Sequence, residues 1–103
     1  MVVVTTEFGR TARMNGTDGT DHGTATVAFV VGGAVNGGRV VADWRGLSDT
    51  ALHERRDLMP TTDLRAVLKG LLQDRLGVPA RLLADTVFPS SGSVRPIADL
   101  IRA

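Results

Sequence analysis

The sequence predicts an α/β fold with a mainly parallel sheet and a C-terminal helix that packs on it. Two β-branched apolar runs, at residues 2–6 and 26–31, lack the polar alternation of a strand with one solvated face. Such runs are typical of strands buried on both faces of a parallel sheet. Further along, residues 64–76 repeat apolar side chains at helical spacing.

That helix has the clearest pattern in the chain. Either of two threonines at 61 and 62 can cap its start, and Asp63 falls in the first turn, where a negative charge meets the helix dipole. Gly77, followed by Val-Pro, is a stop signal. The predicted apolar stripe consists of Leu64, Val67, Leu68, Leu71, Leu72 and Leu76.

The remaining segments are predicted from turn signals. Residues 9–23 are rich in Gly, Thr, Asn and Asp without a period, which indicates a long loop. An Asn-Gly-Gly turn precedes a short predicted strand at 39–41, and residues 80–87 are expected to add a short helix. We expect residues 1–89 to form one segment of a domain, with 90–103 as a flexible joint and terminal segment.

Composition limits the classes of function. With 103 residues, 43% hydrophobic residues and a net charge of +1, the chain has globular composition and no basic surplus for nucleic acid. It has no cysteine, and no apolar run approaches the roughly 18 residues of a membrane helix. Neither a signal peptide nor a transmembrane segment is expected from these residues.

The residues that could carry chemistry cluster after the first strand. Glu7 ends that strand, and Asp21 and His22 lie next to a glycine in the following loop, so together they suit a divalent cation such as zinc, manganese or calcium. Arg10 and Arg13 suit a phosphate or sulfate group. A structural alternative stays open, in which Glu7 and Arg10 form an ion pair and His22 caps a turn.

Four blocks of the sequence resemble a bacterial family named domain of unknown function 1501. The order and spacing of the blocks cover residues 2 to 89. They are VVTTEFGRT at 3–11, GTDHG at 19–23, FVVGG with VNGGRV at 29–40, and DLMPTTDLR at 57–65.

This resemblance implies a fold and a set of ligands. Members of the family look like alkaline-phosphatase-like proteins, which include sulfatases, so the chain would be the C-terminal part of an αβα sandwich. In that superfamily a strand ends in Asp-His-Gly, where Glu7 could replace the Asp but Phe8 cannot replace the His. A later His-Gly of the superfamily resembles His22-Gly23, with Asp21 adjacent.

The function implied by the resemblance is metal-dependent hydrolysis of phosphate or sulfate esters in a full-length, exported protein. This chain alone would be inactive, because the nucleophile belongs to sequence outside it. The alternative is a non-catalytic surface or assembly protein that kept the fold and binds a metal or another ligand. In both cases a small molecule or ester is the expected ligand, and open strand edges predict self-association when the chain is expressed alone.

Overall fold

The computed structural model describes residues 1–103, and its regular elements are short. The elements are β1 (Val2–Val4), β2 (Gly9–Arg10), β3 (His22–Gly23), β4 (Phe29–Val31), α1 (Leu64–Leu76), α2 (Ala80–Leu82) and a π-helical turn (Leu83–Val87). Two strand pairs form: β1 pairs with β4, and β2 pairs antiparallel with β3, with Gly9 opposite Gly23 and Arg10 opposite His22. None of the helices has the length and hydropathy of a membrane-spanning segment.

The predicted αβα sandwich with a mainly parallel sheet is wrong. Each sheet has only two strands, and the pair formed by β2 and β3 is antiparallel. The apolar runs do form β1 and β4, but Val2, Val4 and Phe29 are all more than half exposed. A β-branched run indicates a strand whose two faces are suited to burial between layers of other elements. In this structure no such layers cover β1 and β4.

Two further expectations also fail. No strand forms at residues 39–41, where Val40 is 90% exposed. The predicted loop at 9–23 contains the two strands of an antiparallel hairpin, β2 and β3. Strands of two residues are too short to show a period in sequence, so the hairpin left no signal of that kind.

The chain divides into two compact units, each described by itself. The first, called the helical unit, comprises Met1, Val31–Arg39 and Thr62–Ala103. The second, called the hairpin unit, comprises Val2–Val30 and Val40–Thr61.

The predicted helix is confirmed in the helical unit as α1. Asp63 is its N-cap, and its side chain accepts a hydrogen bond from the backbone N–H of Arg65 at 2.9 Å. Gly77 ends the helix in the left-handed conformation, at φ 66°. There its N–H reaches the carbonyl of Gln73 at 3.1 Å, which satisfies one of the last free carbonyls. A short helix within 80–87 is also confirmed, as α2 and the π-helical turn.

The buried face of α1 agrees only in part with the predicted stripe. Leu71 of the stripe is buried, whereas Leu64 and Leu76 are 40% and 65% exposed. The other buried residues of the helix are Ala66, Lys69 and Gly70. Lys69 is buried because its ammonium donates to two carbonyls of the C-terminal segment, those of Ser91 at 2.7 Å and Val94 at 3.0 Å. At Gly70 the same segment comes so close that a Cβ would collide with the carbonyl of Ile97.

The N-cap of α1 gives a first prediction. Two hydrogen bonds from Arg65 lower the pKa of Asp63 below its ordinary value of 3.8. The larger effect comes from the Arg65 side chain and the smaller one from the Arg65 backbone N–H. A lowered pKa stabilises the fold above the ordinary value, and this contribution is lost as pH falls through the folded-state pKa. At neutral pH we expect Asp63→Ala to lower the free energy of unfolding by about 1 kcal/mol. Chemical denaturation measures it, with Asp63→Asn as the control.

The two variants separate capping from charge. Asn is also a good N-cap, so Asp63→Asn should retain most of the stability at neutral pH. The difference between wild type and Asp63→Ala should shrink below the ordinary pKa of the carboxyl group. A difference that grows on acidification would contradict this account of the cap.

The hairpin unit has a small and largely polar interior. Its buried side chains are Leu52, Thr11 and Asp57. Backbone hydrogen bonds hold the segments together: the N–H of Ala12 donates to the carbonyl of Arg56 at 2.9 Å, and that of Thr11 to Asp21 at 3.0 Å. Because little apolar surface is buried, these hydrogen bonds fix the position of the hairpin relative to residues 52–57.

Candidate functional site

One face of the β2–β3 hairpin carries an exposed cluster of side chains. Arg10 lies opposite His22 in the antiparallel register, and directly opposed residues present their side chains on the same face, with Cβ atoms about 5 Å apart. The ring of Phe8 stacks on the imidazole of His22, with centroids 3.9 Å apart and an interplanar angle of 23°. The guanidinium carbon of Arg10 lies 5.9 Å from the Phe8 centroid. We call Phe8, Arg10 and His22 the hairpin cluster.

The opposite face of the hairpin is closely packed, which explains its glycines. A Cβ at Gly9 would collide with the carbonyl of Ala25. A Cβ at Gly23 would lie 2.9 Å from the carbonyl carbon of Arg10 and 3.1 Å from Asp57 Oδ1. Glycine at both positions therefore permits the close packing behind the strands, while the hairpin cluster faces solvent.

An open cleft lies at the start of the hairpin. It has a volume of about 460 Å³ and is lined by residues 6 to 10 and by Thr26. Glu7 and Arg10 both line it, so a carboxylate and a guanidinium face the same space. The hydroxyl of Thr6 donates to the carbonyl of Phe8 at 2.8 Å, which holds the chain turn at the cleft.

Arg10 is the better placed of the two predicted anion-binding arginines. It uses Nη1 to donate to the carbonyl of Thr20 at 2.9 Å, which leaves other N–H groups of its guanidinium for a ligand. Arg13 instead pairs with Asp49 and donates through Nε to the carbonyl of Arg55 at 2.6 Å. Arg13 thus connects the loop between β2 and β3 to residues 49–55.

The predicted metal ligands are distributed unevenly. Asp21 Oδ1 accepts from Asn15 Nδ2 at 3.0 Å, within the loop that joins β2 and β3. His22 is part of the hairpin cluster, and Glu7 precedes Phe8 at the cleft. No group of three or more His, Cys, Asp or Glu side chains in the chain is arranged to hold a metal ion. The ligand set Glu7, Asp21 and His22 stays a prediction.

The structural alternative for these residues is not what the structure shows. Glu7 takes part in none of the ion pairs, so it does not pair with Arg10. His22 stacks on Phe8 in a strand instead of capping a turn. Glu7 therefore lines the cleft without an ion-pair partner, and His22 lies against Phe8, which also lines the cleft.

One residue of this region went unnoticed in the sequence. Asp57 is 2% exposed and lies behind β3, where its Oδ2 accepts from the N–H and the hydroxyl of Thr24, each at 3.2 Å. Its Oδ1 is buried without a hydrogen-bond partner. An Asp that follows two arginines is usually solvated, so the local sequence does not predict its burial. The only sequence feature that singles it out is that it is the first residue of the fourth family block.

The comparisons with known proteins give one result. The profile of the family described as "Protein of unknown function (DUF1501)" matches residues 1–87. Neither the curated proteins nor the solved structures contain a match to the chain. The match covers most of the 103 residues and confirms the resemblance drawn from the four sequence blocks. The chain therefore belongs to the DUF1501 family of proteins of unknown function.

Proposed function

We propose that this chain supplies part of the substrate site of a longer, metal-dependent hydrolase of phosphate or sulfate esters. The observation that carries the proposal is the hairpin cluster, in which Arg10 and His22 share one exposed face beside the cleft. An arginine and an imidazole on one face suit an ester of an oxyanion and a divalent cation, respectively.

Arg10 is assigned to the oxyanion. Its guanidinium is always charged and presents several N–H donors in a plane, which match the oxygens of a phosphate or sulfate group. The contact with the Thr20 carbonyl at 2.9 Å holds the side chain at the hairpin without neutralising it. The arginine is therefore oriented before a ligand arrives.

His22 and Glu7 are assigned to the cation. Stacking on Phe8 restricts the ring of His22, and Glu7 lines the cleft without an ion-pair partner. A divalent metal would polarise the ester oxygen and activate a nucleophile. Since fewer than three of the chain's own ligands converge, the remaining ligands and the nucleophile are assigned to other parts of the full-length protein.

A non-catalytic binding protein is the second candidate. Phe8 stands where the family resemblance would place a metal-binding histidine, and its ring stacks on the His22 imidazole with centroids 3.9 Å apart. In this version the hairpin cluster recognises the same anionic ligand but no bond is broken. Hydrolysis of generic phosphate and sulfate esters by the full-length protein, with and without added zinc or manganese, separates the two candidates.

The metal assignment gives a second prediction. We expect His22→Ala to weaken zinc or manganese binding by about tenfold or more, because an imidazole ligand is lost. Isothermal titration of the full-length protein with each metal measures it. The matched control is His53→Ala, which removes the only other histidine, a partly exposed side chain 3.9 Å from Glu54.

The control distinguishes a defined site from general imidazole binding. His53→Ala should bind metal as the wild type does. Equal affinity in wild type and His22→Ala would remove His22 from the ligand set. Equal losses of metal affinity in His22→Ala and His53→Ala would indicate that the metal binds either histidine non-specifically.

A further inference from the structure

The chain contains two Asn-Gly pairs, Asn15-Gly16 and Asn36-Gly37. In such a pair the backbone nitrogen of the glycine can attack Cγ of the asparagine, because glycine has no side chain to shield that nitrogen. The new N–Cγ bond closes an imide ring, the Cγ–Nδ2 bond breaks, and the displaced nitrogen takes the glycine N–H proton and leaves as ammonia. Water then opens the ring at either carbonyl, which gives aspartate or isoaspartate. In a folded protein the reaction depends on how freely the asparagine amide can turn towards the glycine.

The amide of Asn15 is held by four hydrogen bonds within its loop. Its Oδ1 accepts from the N–H and the hydroxyl of Thr17, each at 2.9 Å, and from the N–H of Gly19 at 3.0 Å. Its Nδ2 donates to Asp21 Oδ1 at 3.0 Å. Cyclisation with Gly16 would break these contacts, so the fold protects this asparagine.

The amide of Asn36 is far less restrained. This residue is exposed in the helical unit, and its side chain makes one hydrogen bond, from Nδ2 to the carbonyl of Asp99 at 3.1 Å. The N–H of Gly37 donates to no backbone carbonyl, and a Cβ at this glycine would meet no atom within 4 Å. The attacking nitrogen is therefore free, and the amide has a single contact to break.

The same asparagine holds the C-terminal end of the chain, which we define as residues 99–102. Its N–H donates to the carbonyl of Leu100 at 2.9 Å. Conversion of Asn36 replaces the Nδ2 donor by a carboxylate oxygen, which the carbonyl oxygen of Asp99 repels. Isoaspartate also lengthens the main chain by one carbon before Arg39, whose guanidinium donates to the same Asp99 carbonyl. Both products therefore weaken the contacts that hold the C-terminal end.

We infer that Asn36-Gly37 is a site of spontaneous modification, at which loss of ammonia releases the C-terminal end from residues 34–39. The inference is independent of the proposed function, because no residue of the hairpin cluster takes part. Ageing of the protein thus acts first on the helical unit and leaves the loop that contains Asn15 intact.

The test follows both asparagines in the full chain during storage at mildly alkaline pH. Tandem mass spectrometry of a digest assigns the mass gain of each converted amide to its residue. We expect Asn36 to convert at least about tenfold faster than Asn15, because each additional hydrogen bond of the Asn15 amide raises its barrier to cyclisation. Gly37→Ala places its Cβ in open space, so the fold should be kept while most of the conversion at Asn36 is lost.

The matched control is the same chain in denaturant, where the hydrogen bonds of both amides are absent. There Asn15 and Asn36 should convert at similar rates, which would show that the fold and not the local sequence separates them. Conversion of Asn15 as fast as Asn36 in the folded chain would overturn the inference. Conversion of Asn36 in denaturant alone would overturn it as well.

Amide hydrogen exchange tests the release of the C-terminal end. Asn36→Asp reproduces the aspartate product, and the N–H of Arg102, which donates to the carbonyl of Ala34 at 2.8 Å, should exchange roughly fivefold faster in this variant, about the effect of one lost hydrogen bond. The N–H of Ile97, which donates to Ala66 at 3.0 Å, is the internal control and should keep its protection. Unchanged protection of Arg102, or loss of protection at both amides, would contradict a local release.

Discussion

Gly9→Ala is expected to disrupt the hairpin and the cluster that it carries. A Cβ at residue 9 would collide with the carbonyl of Ala25 and lie 2.9 Å from the carbonyl carbon, and backbone cannot move aside as a side chain can. Overpacking of this kind costs about 1–3 kcal/mol, and a backbone collision lies at the upper end. Chemical denaturation should show a loss of about 3 kcal/mol.

The matched control is Gly16→Ala, in the loop of the same hairpin. A Cβ there meets no atom within 4 Å, so stability should change by less than about 0.5 kcal/mol. Gly9→Ala should also displace His22, since Gly23, the residue opposite Gly9, is the neighbour of His22. Equal stability of the two alanine variants would show that Ala25 does not pack against Gly9.

Leu83→Ala is expected to have the largest effect in the helical unit. Leu83 is fully buried, at 0% exposure, where the π-helical turn begins. Truncating a buried leucine removes its transfer free energy and leaves a cavity, with losses of about 2–5 kcal/mol. Natural domains have only about 5–15 kcal/mol of stability, so the variant should melt far below wild type or fail to fold. Circular dichroism during heating measures it.

Leu82→Ala, one residue earlier, is the control. Leu82 is 43% exposed, so its truncation removes little buried surface and should cost less than about 1 kcal/mol. Because the substitution and the helical neighbourhood are the same, the difference between the two variants reports burial alone. Similar losses in both would place Leu83 outside the core.

The elements that depend on local chemistry were predictable. Helix α1 has the spacing, the N-cap region and the terminal glycine that a helix needs, and it forms at Leu64–Leu76. The two apolar runs form strands, as β1 and β4. These features follow from side-chain periodicity and from the backbone preferences of glycine and short polar residues.

The arrangement of those elements was not predictable in the same way. The buried face of α1 is rotated towards Lys69 and Gly70, since the carbonyls of Ser91, Val94 and Ile97 approach the helix there. A lysine within a helix is ordinarily a solvated residue, and only the nearby carbonyls make its burial favourable.

For the candidate site, the residue types were identified from the sequence and the contacts were not. Glu7, Arg10 and His22 were recognised as possible ligands, and the structure brings Arg10 and His22 to one face of a hairpin. The stacking of Phe8 on His22 and the engagement of Arg13 with Asp49 depend on pairings across the chain, which no local pattern encodes.

The sequence by itself determined the family, the helix with its C-terminal glycine cap, and the residues capable of binding a cation or an anion, whereas the N-cap is Asp63 and not the predicted Thr61 or Thr62. Periodicity, capping and motif spacing are local properties, so they can be recognised without coordinates. Only the tertiary structure decided that the long loop is an antiparallel hairpin, that the sheets stay two-stranded, and that Asp57 is buried behind His22-Gly23. The physical reason is that burial and hydrogen-bond satisfaction depend on which distant segments meet.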